Sequence, residues 1–162
     1  MKVELRKLKL SDASILQKLR DDKEVNKYLE GSPYPYKLSD AKWSIKKGLK
    51  KDNYKFAILV NKEFVGTIAL ENPNESKTSF ETGLFLGRKY WNKGIGTEAL
   101  KEIVRFGFKE LKLKRIWAGV LSNNVGSSKA VEKAGFKLEG RLKCATYKNR
   151  RYFDELIYGR VR

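Results

Sequence analysis

The chain of 162 residues contains no histidine and one cysteine, Cys144. The absence of histidine excludes Ser-His triads, Cys-His dyads and HExxH metal sites within this chain. A single cysteine cannot form an internal disulfide, and it also excludes cysteine-rich zinc sites, so we expect no metal. Acid–base chemistry is therefore left to Asp, Glu, Tyr, Lys, Cys, a chain terminus or water.

Long apolar runs are absent as well. No run approaches the roughly 18 residues that a membrane span needs. The first residues, MKVELRKLKLSD, alternate charged with aliphatic side chains and lack the apolar core of a signal peptide. With 41% hydrophobic and 12% aromatic residues, the composition is typical of a folded domain. We therefore expect a soluble, cytoplasmic protein with no membrane partner, formed by a single domain over residues 1–162.

Acidic residues are few relative to basic ones. The chain has 36 Lys and Arg against 19 Asp and Glu, which gives a formal net charge of +17. Such a charge attracts polyanions over long distances, but lysines on the polar face of a helix are commonly just solvated. Two interpretations stay open, a solvated surface and an anionic partner such as RNA or the ribosome. One dense basic cluster is KWSIKKGLKK, residues 42–51.

The order of strand and helix patterns predicts the fold class. VELRKL reads as a strand, and a helix follows from the cap residue Ser11 to about residue 23, with Ile15, Leu16 and Leu19 facing inward. KFAILV and FVGTIAL flank NKE, where Asn61 can adopt the positive φ of a tight hairpin turn. The complete order, βααβββαβαββ, predicts an α/β (α+β) single domain with a mixed central sheet of about seven strands and about four helices.

The second predicted helix begins after Ser39 and carries Trp43 and Leu49. Further along the chain, the stretch YWNKGIGTEAL, residues 90–100, places Gly94 and Gly96 directly before a helical pattern. The first turn of a helix leaves about four N–H groups without internal partners, and the helix dipole adds to their positive potential. NKGIGT is therefore a candidate cradle for a pyrophosphate group. The alternative is a plain turn, because the stretch is neither a P-loop nor a dinucleotide fingerprint.

A later stretch, NNVGSSKAVEKAGFKLEG (residues 123–140), strengthens the prediction of a ligand site. Together with FETGLFLGRKYWNKGIGTEAL it resembles the GNAT superfamily of N-acetyltransferases, especially the branch that acetylates the N-termini of ribosomal proteins. The resemblance covers most of the chain and implies a GNAT-like fold with acetyl-CoA as co-substrate. The cofactor-binding residues that it implies are Leu84, Phe85, Leu86, Trp91, Asn92, Lys93, Gly94, Ile95, Gly96, Thr97, Asn124 and Ser127.

Two departures from the family pattern concern single residues. Trp91 stands where a basic or amide residue often opens the glycine-rich motif, and many members of the ribosomal branch look similar. Val131 replaces a tyrosine that, in many superfamily members, is thought to protonate the leaving thiolate. The acid must therefore come from elsewhere.

The resemblance also implies catalytic residues. Ser127 is the candidate acid, and its alternative role is a helix N-cap. Glu81 resembles the proposed general base, and its alternative is an ordinary solvent-facing strand residue. By resemblance, the amine attacks the thioester directly within a ternary complex. Backbone N–H groups near Phe85 and Leu86 would then polarise the carbonyl.

The acceptor is a primary amine, and a protein N-terminus is our first expectation. An α-amine with a pKa near 8 needs less help to lose its proton than a lysine near 10.4. A net charge of +17 repels free polyamines at long range, unless an acidic pocket overrides the mean field. Lysine side chains and small-molecule amines such as a polyamine or an antibiotic remain alternative acceptors. For the quaternary state, a monomer and a homodimer both stay open.

A rival of another class is a non-catalytic RNA-binding domain. Trp, Tyr and Lys interleave in RKYWNKG and ATYKNRRYF, as stacking platforms with phosphate contacts would require. This rival predicts binding of RNA without binding of acetyl-CoA.

Overall fold

The computed structural model describes residues 2–162, in which a seven-stranded mixed sheet is covered by five α-helices. The predicted α/β class and strand number are confirmed, and there is one more helix than predicted. The elements are β1 (Val3–Lys7), α1 (Ala13–Arg20), α2 (Lys23–Asn26), α3 (Leu38–Gly48), β2 (Tyr54–Val60), β3 (Glu63–Glu71), β4 (Ser79–Leu86), α4 (Ile95–Lys109), β5 (Arg115–Leu121), α5 (Val125–Lys133), β6 (Lys137–Lys148) and β7 (Arg151–Val161).

The additional helix, α2, arises because the first helical segment is interrupted. α1 ends at Arg20, and the Asp22 side chain then accepts hydrogen bonds from the N–H groups of Glu24 and Val25. An aspartate in this position caps a new helix. The helix predicted to reach residue 23 therefore ends at Arg20, and α2 begins at Lys23 as a separate helix that was not predicted.

The predicted start of the first helix was also wrong. Ser11 lies inside a short 3-10 turn, and α1 begins at Ala13. Asp12 fixes this entry, because its carboxylate accepts a hydrogen bond from the Lys9 N–H at 2.7 Å and pairs with Arg6 at 2.9 Å. Of the residues predicted to face inward, Leu16 is fully buried, whereas Ile15 is exposed.

The second predicted helix corresponds to α3 and begins slightly earlier than predicted, at Leu38. Here the Asp40 carboxylate accepts a hydrogen bond from the Lys37 N–H at 2.7 Å. The two apolar residues predicted on this helix stay in solvent, with Trp43 65% exposed and Leu49, directly after the helix, 57% exposed, whereas Ile45 is fully buried. The hairpin between β2 and β3 follows the prediction, since Asn61 adopts a φ of 50°.

The strands follow the order β1-β2-β3-β4-β5-β7-β6, and all neighbours pair antiparallel except β4 and β5, which are parallel. Because side chains alternate between the faces of a strand, the sheet has two buried faces. One packs on α4 and α5 and includes Phe80, Leu86, Ile116 and Val120. The other packs on α1, α2 and α3 and includes Ala57, Phe64 and Phe85.

Pairing between β4 and β5 ends early. The parallel register joins Ser79–Glu81 to Arg115–Trp117 and goes no further, although β4 continues to Leu86 and β5 to Leu121. The two central strands therefore separate and leave a gap in the middle of the sheet. No α-helix among residues 2–162 combines the length and the apolar character needed to cross a membrane.

Candidate active site

A cavity of about 280 Å³ lies in the gap between β4 and β5. Both strands line it, and it also reaches residues on both faces of the sheet. Leu100 and Val131 contribute from the α4–α5 face, and Arg20 and Tyr28 contribute from the α1–α3 face. The cavity is therefore a passage through the sheet at this gap.

The backbone of β4 presents free hydrogen-bonding groups to this gap. The Gly87 N–H donates to the Val65 carbonyl on β3 at 2.9 Å, and the Thr78 carbonyl accepts from the Lys114 N–H beside β5 at 2.8 Å. Backbone groups alternate sides along a strand. Thr82, Leu84 and Leu86 therefore direct their N–H and C=O groups into the gap, where β5 no longer pairs with them.

Two side-chain features of β4 also show that the gap has room for a ligand. Gly83 is exposed although it lies in a central strand, and a Cβ placed on it would meet no atom within 4 Å. Thr82 is 2% exposed and lines the cavity, yet its Oγ1 has no hydrogen-bond partner among the described residues. A buried hydroxyl without a partner costs free energy, which a bound ligand can recover.

The glycine-rich loop turns into α4 at the edge of this gap. Gly94 adopts a φ of +76°, which disfavours any residue with a side chain, and its carbonyl accepts the first helical hydrogen bond, from the Glu98 N–H. The N–H groups at positions 95, 96 and 97 therefore have no partner within the helix. A Cβ at Gly96 would lie 3.8 Å from Leu84 and Leu86, so the helix start is directly beside the free edge of β4.

Several other residues of this loop that were predicted to bind the cofactor do not line the cavity. The Trp91 indole N–H donates to the Leu86 carbonyl at 2.9 Å, and its ring packs edge-on against Tyr28. Trp91 therefore holds the end of β4 and is not among the residues that line the cavity. Asn92 and Lys93 are exposed, whereas the Ile95 side chain is buried in the core. Ile95 can serve a ligand only through its backbone.

The second motif forms the start of α5, on the β5 side of the gap. Asn124 is the N-cap, because its Oδ1 accepts a hydrogen bond from the Ser127 N–H at 3.1 Å. The alternative reading of Ser127 as the N-cap was therefore wrong. Both residues line the cavity, and Val131, one of the two positions that depart from the GNAT pattern in the sequence, is a buried part of the same wall.

Glu81 lies where the paired part of β4 ends, and it lines the cavity. The Asn72 side chain donates to Glu81 Oε2 at 2.7 Å, which orients the carboxylate. Burial raises the pKa of Glu81, and the negative charges of Glu71 and Glu30 raise it further, while the hydrogen bond from Asn72 acts in the opposite direction. The alternative of an ordinary solvent-facing residue does not describe this half-buried carboxylate.

Three other carboxylates, which sequence analysis did not single out, share the cavity with Glu81. They are Glu30 after α2, Glu71 at the end of β3 and Glu155 on β7. Glu71 is directly opposite Glu81 in the β3–β4 register. The signal available in the sequence is a glutamate inside or at the end of a strand that is otherwise apolar, as in FVGTIALE and DELIYG.

Two basic residues line the same cavity, but neither pairs with these carboxylates. Lys55 donates to Ser44 Oγ at 2.7 Å, and burial, with the positive charge of Arg20, lowers the pKa of Lys55 to about 8. The Arg20 guanidinium lies over the rings of Tyr36 and Phe85, at 4.9 and 5.5 Å from their centroids. The cavity thus has more acidic than basic side chains, in contrast to the protein as a whole.

The structure brings only part of the sequence-predicted set to the cavity wall. Glu81, Leu84, Phe85, Asn124 and Ser127 line it. The remaining cofactor-binding predictions belong to the end of β4, the loop before α4 and the first turn of α4, and they are not part of the cavity wall. Their roles stay predictions.

The cap at α5 generates a stability prediction. We expect Asn124→Ala to lower the free energy of unfolding by about 1 kcal/mol, because the Ser127 N–H loses its acceptor. Denaturant unfolding with an unchanged m-value measures this loss. Asn124→Asp is the control, because it keeps an acceptor oxygen and is expected to stay within about 0.5 kcal/mol of the native protein. Equal losses in both variants would contradict the cap.

Comparisons with known proteins agree with this geometry. Residues 2–137 match the family model for the acetyltransferase (GNAT) domain. An uncharacterized N-acetyltransferase p20 of Bacillus licheniformis is 33% identical over 145 residues, which cover 86% of this chain and 81% of that protein. The spermidine N(1)-acetyltransferase of Escherichia coli is 25% identical over 150 residues, covering 93% and 81% of the two chains.

Among solved structures, a ribosomal L7/L12 α-N-protein acetyltransferase in complex with coenzyme A superposes with a TM-score of 0.91. The match covers 99% of this chain and 94% of the other, at 18% identity, so it shows a shared fold. The matched domain covers most of the chain and includes both the free edge of β4 and the glycine-rich loop. The chain therefore belongs to the GNAT family and is an acetyl-CoA-dependent N-acetyltransferase.

Proposed function

We propose that this chain transfers the acetyl group of acetyl-CoA to a primary amine, with a protein N-terminal α-amine as the first candidate acceptor. The observation that carries the proposal is the free edge of β4 beside the start of α4. A linear amide chain can hydrogen-bond to such an edge as a further strand would, and a diphosphate fits an array of free N–H groups at a helix start.

The cofactor would lie on the α4–α5 side of the gap. The backbone of Leu84 and Leu86 would hold its pantetheine arm, and the N–H groups at positions 95–97 would hold its pyrophosphate. Lys93 is exposed beside this loop and adds a positive charge for the phosphates. Trp91 would act indirectly, because its bond to the Leu86 carbonyl fixes the edge that the arm contacts. Asn124 would also act indirectly, because its bond to the Ser127 N–H fixes the start of α5 on the opposite wall.

The amine would approach from the α1–α3 side, where Gly83 leaves open space. Glu81 lines this side and would accept the proton of the amine, directly or through water. The N–H of Leu86 is directed into the gap, whereas that of Phe85 is directed towards β3, so of these two groups only the Leu86 N–H can donate to the cofactor. Ser127, on the other wall, stays the candidate donor of a proton to the leaving thiolate.

The choice of an α-amine rests on the weak basicity of a carboxylate. An α-amine with a pKa near 8 is neutral more often at pH 7 than a lysine near 10.4, by about 3 kcal/mol of proton affinity. The net charge of the protein does not exclude a polyamine acceptor, because the site itself is locally acidic. Lysine side chains and small-molecule amines such as a polyamine or an antibiotic remain alternative acceptors.

Two measurements test the function. Acetyl-CoA at 100 times its dissociation constant should raise the free energy of unfolding by about 2.7 kcal/mol, whereas an RNA-binding domain without acetyltransferase activity would show no such shift. Mass spectrometry should then find a gain of one acetyl group in members of a panel of N-terminal peptides, lysine peptides and small amines. If acetyl-CoA gives no thermal shift and no panel member is acetylated, the proposal is wrong.

Removing the proposed base should change the pH profile. Glu81 has a raised pKa, so the wild-type carboxylate is lost as a base only when the pH falls through that raised value. Above the amine pKa near 8 the amine is already neutral and needs no base. We therefore expect Glu81→Gln to lower kcat/KM by about tenfold or more near pH 6 and by less than about threefold near pH 9.5.

Glu75→Gln is the matched control for this variant, because Glu75 is exposed and does not line the cavity. The control should keep the wild-type profile. An unchanged pH profile in Glu81→Gln would remove Glu81 from the reaction.

The basic surface suggests how a ribosomal acceptor would be reached. The solvent face of α3 exposes Lys42, Trp43, Lys46 and Lys47, with the Lys47 ammonium over the Trp43 ring. If this face contacts phosphates, binding to ribosomes should weaken steeply as salt increases. Lys46→Gln with Lys47→Gln should reduce that slope, and Lys109→Gln with Lys112→Gln should not. A flat salt response would leave the surface with solubility as its role.

A further inference from the structure

The acidic residues of the cavity lie together in one space and lack counterions. Most of the protein is basic, and many of its acidic side chains sit in salt bridges, such as Glu139 with Arg115. Among the described residues, Glu30, Glu71, Glu81 and Glu155 form none within 4.0 Å. In a protein with so many lysines, unpaired carboxylates in one cavity indicate a charged ligand.

Glu155 is the most specifically placed of these carboxylates. It is on β7, opposite Leu121 in the β5–β7 register, and its side chain turns back over Gly119. A Cβ at Gly119 would overlap the Glu155 carboxylate, so the glycine leaves the space that this side chain occupies. The Glu155 carboxylate thereby covers the β5 wall of the passage on the α1–α3 face.

The electrostatic surroundings of Glu155 contain negative neighbours. Burial raises the pKa of Glu155, and the charges of Glu30 and Glu81 raise it further. Among the nearby cations, Lys55 is bonded to Ser44 and Arg20 lies over two aromatic rings. Lys148, on β6, donates instead to the Leu29 carbonyl. Holding like charges together costs stability, and the arrangement is relieved when a cation binds between them.

An independent feature also shows that the passage is built for a ligand. The Thr82 hydroxyl is buried in the cavity wall without a partner, and Gly83 beside it borders open space. Thr82 and Gly83 are on opposite faces of the sheet, so the vacant volume extends from the cofactor side to the carboxylates. A ligand that passes through the gap would end among the glutamates.

We propose that the acceptor carries a second positive charge, and that Glu155, assisted by Glu30, binds this charge while Glu81 faces the amine to be acetylated. This inference rests on the proposed acetyl transfer and narrows its substrate class. Glu155 and Glu81 are separated by about 13 Å along β5, since their partners Leu121 and Trp117 are four residues apart. Long side chains shorten that span. The second charge is therefore several bonds away from the reacting amine.

This chemistry can come from two sources, a small aliphatic diamine or a peptide whose N-terminus is followed by a basic residue. In both, the protein must recognise two cationic groups on a flexible spacer. The net charge of +17 acts against the approach of either, but it is screened within about 8 Å at physiological salt. Inside the cavity four carboxylates outnumber the two cations, Arg20 and Lys55, so we expect a negative local potential.

The experiment compares acceptors that differ by one charge. In the presence of acetyl-CoA, kcat/KM is measured for 1-butylamine against 1,4-diaminobutane, and for amidated Ser-Ala-Ala against amidated Ser-Lys-Ala. We expect the doubly charged acceptor to be preferred by about tenfold or more in at least one pair, through a lower KM. The pair that shows the preference identifies the source. Equal values in both pairs would overturn the proposal and leave acetyl transfer intact.

Variants then assign the preference to its residues. Glu155→Gln should reduce it to about threefold or less with little change in kcat, and Glu30→Gln should have a smaller effect. Glu75→Gln, an exposed glutamate outside the cavity, should retain the full preference. A preference that survives in Glu155→Gln refutes the assignment of Glu155.

Stability separates binding from a structural role. Because Glu155 is held near like charges without a counterion, Glu155→Gln should unfold at an equal or higher temperature than the native protein. A lower midpoint would show that Glu155 serves the fold instead. If no amine is acetylated, the thermal shifts of the coenzyme A complex with the same four amines are compared. If acetyl-CoA itself causes no thermal shift, the proposed function has failed. If acetyl-CoA causes a shift but singly and doubly charged amines cause equal shifts, only the second-charge proposal is overturned.

Discussion

The separation of β4 from β5 beyond Glu81 and Trp117 is the constraint on which the rest of the structure depends. A sheet normally satisfies its backbone groups by pairing, and each buried group left without a partner costs about 1–3 kcal/mol. Here the two strands are held apart although both continue for several residues. β4 pairs with β3 on one side of the gap, and β5 pairs with β7 on the other. These outer pairings hold the two central strands in place beside the gap. Trp91 satisfies one of the exposed carbonyls, that of Leu86.

The gap also explains how one small domain treats two substrates with opposite charges. The helix start and Lys93 present positive potential on the α4–α5 side, which suits phosphates. The glutamates present negative potential on the α1–α3 side, which suits amines. The sheet between them keeps the two fields apart, and the gap between β4 and β5 connects them. Net charge describes neither side, because it averages a basic exterior with an acidic passage.

The fold was predictable where local chemistry decides it. Asn61 marked the hairpin, and the glycines at 94 and 96 marked the turn into α4, because both depend on backbone conformation near a single residue. Helix starts were harder. Ser11 and Ser127 were plausible caps, but Asp12 fixes the start of α1 and Asn124 caps α5, since several polar residues compete within a few positions.

The acidic half of the site was not predictable in the same way. Glu30 follows a short helix, Glu71 ends β3 and Glu155 is on the last strand, so they meet only after the sheet is assembled. Glu81 was identified because it is close to a recognisable loop in the chain. The long-range order β4-β5-β7 brings Glu155 to the cavity, and nothing in a local stretch of sequence records that order.

The free edge of β4 has a consequence for how the protein resists aggregation. An unpaired strand edge on the outside of a sheet is a template on which another chain can add a strand. Here a comparable edge lies in the middle of the sheet, between α4 and α5 on one face and α1 and α3 on the other, where a folded neighbour cannot insert. A slender ligand can still enter. The free edge of β4 is thus accessible to a narrow, extended ligand, whereas a strand of another folded protein cannot pair with it.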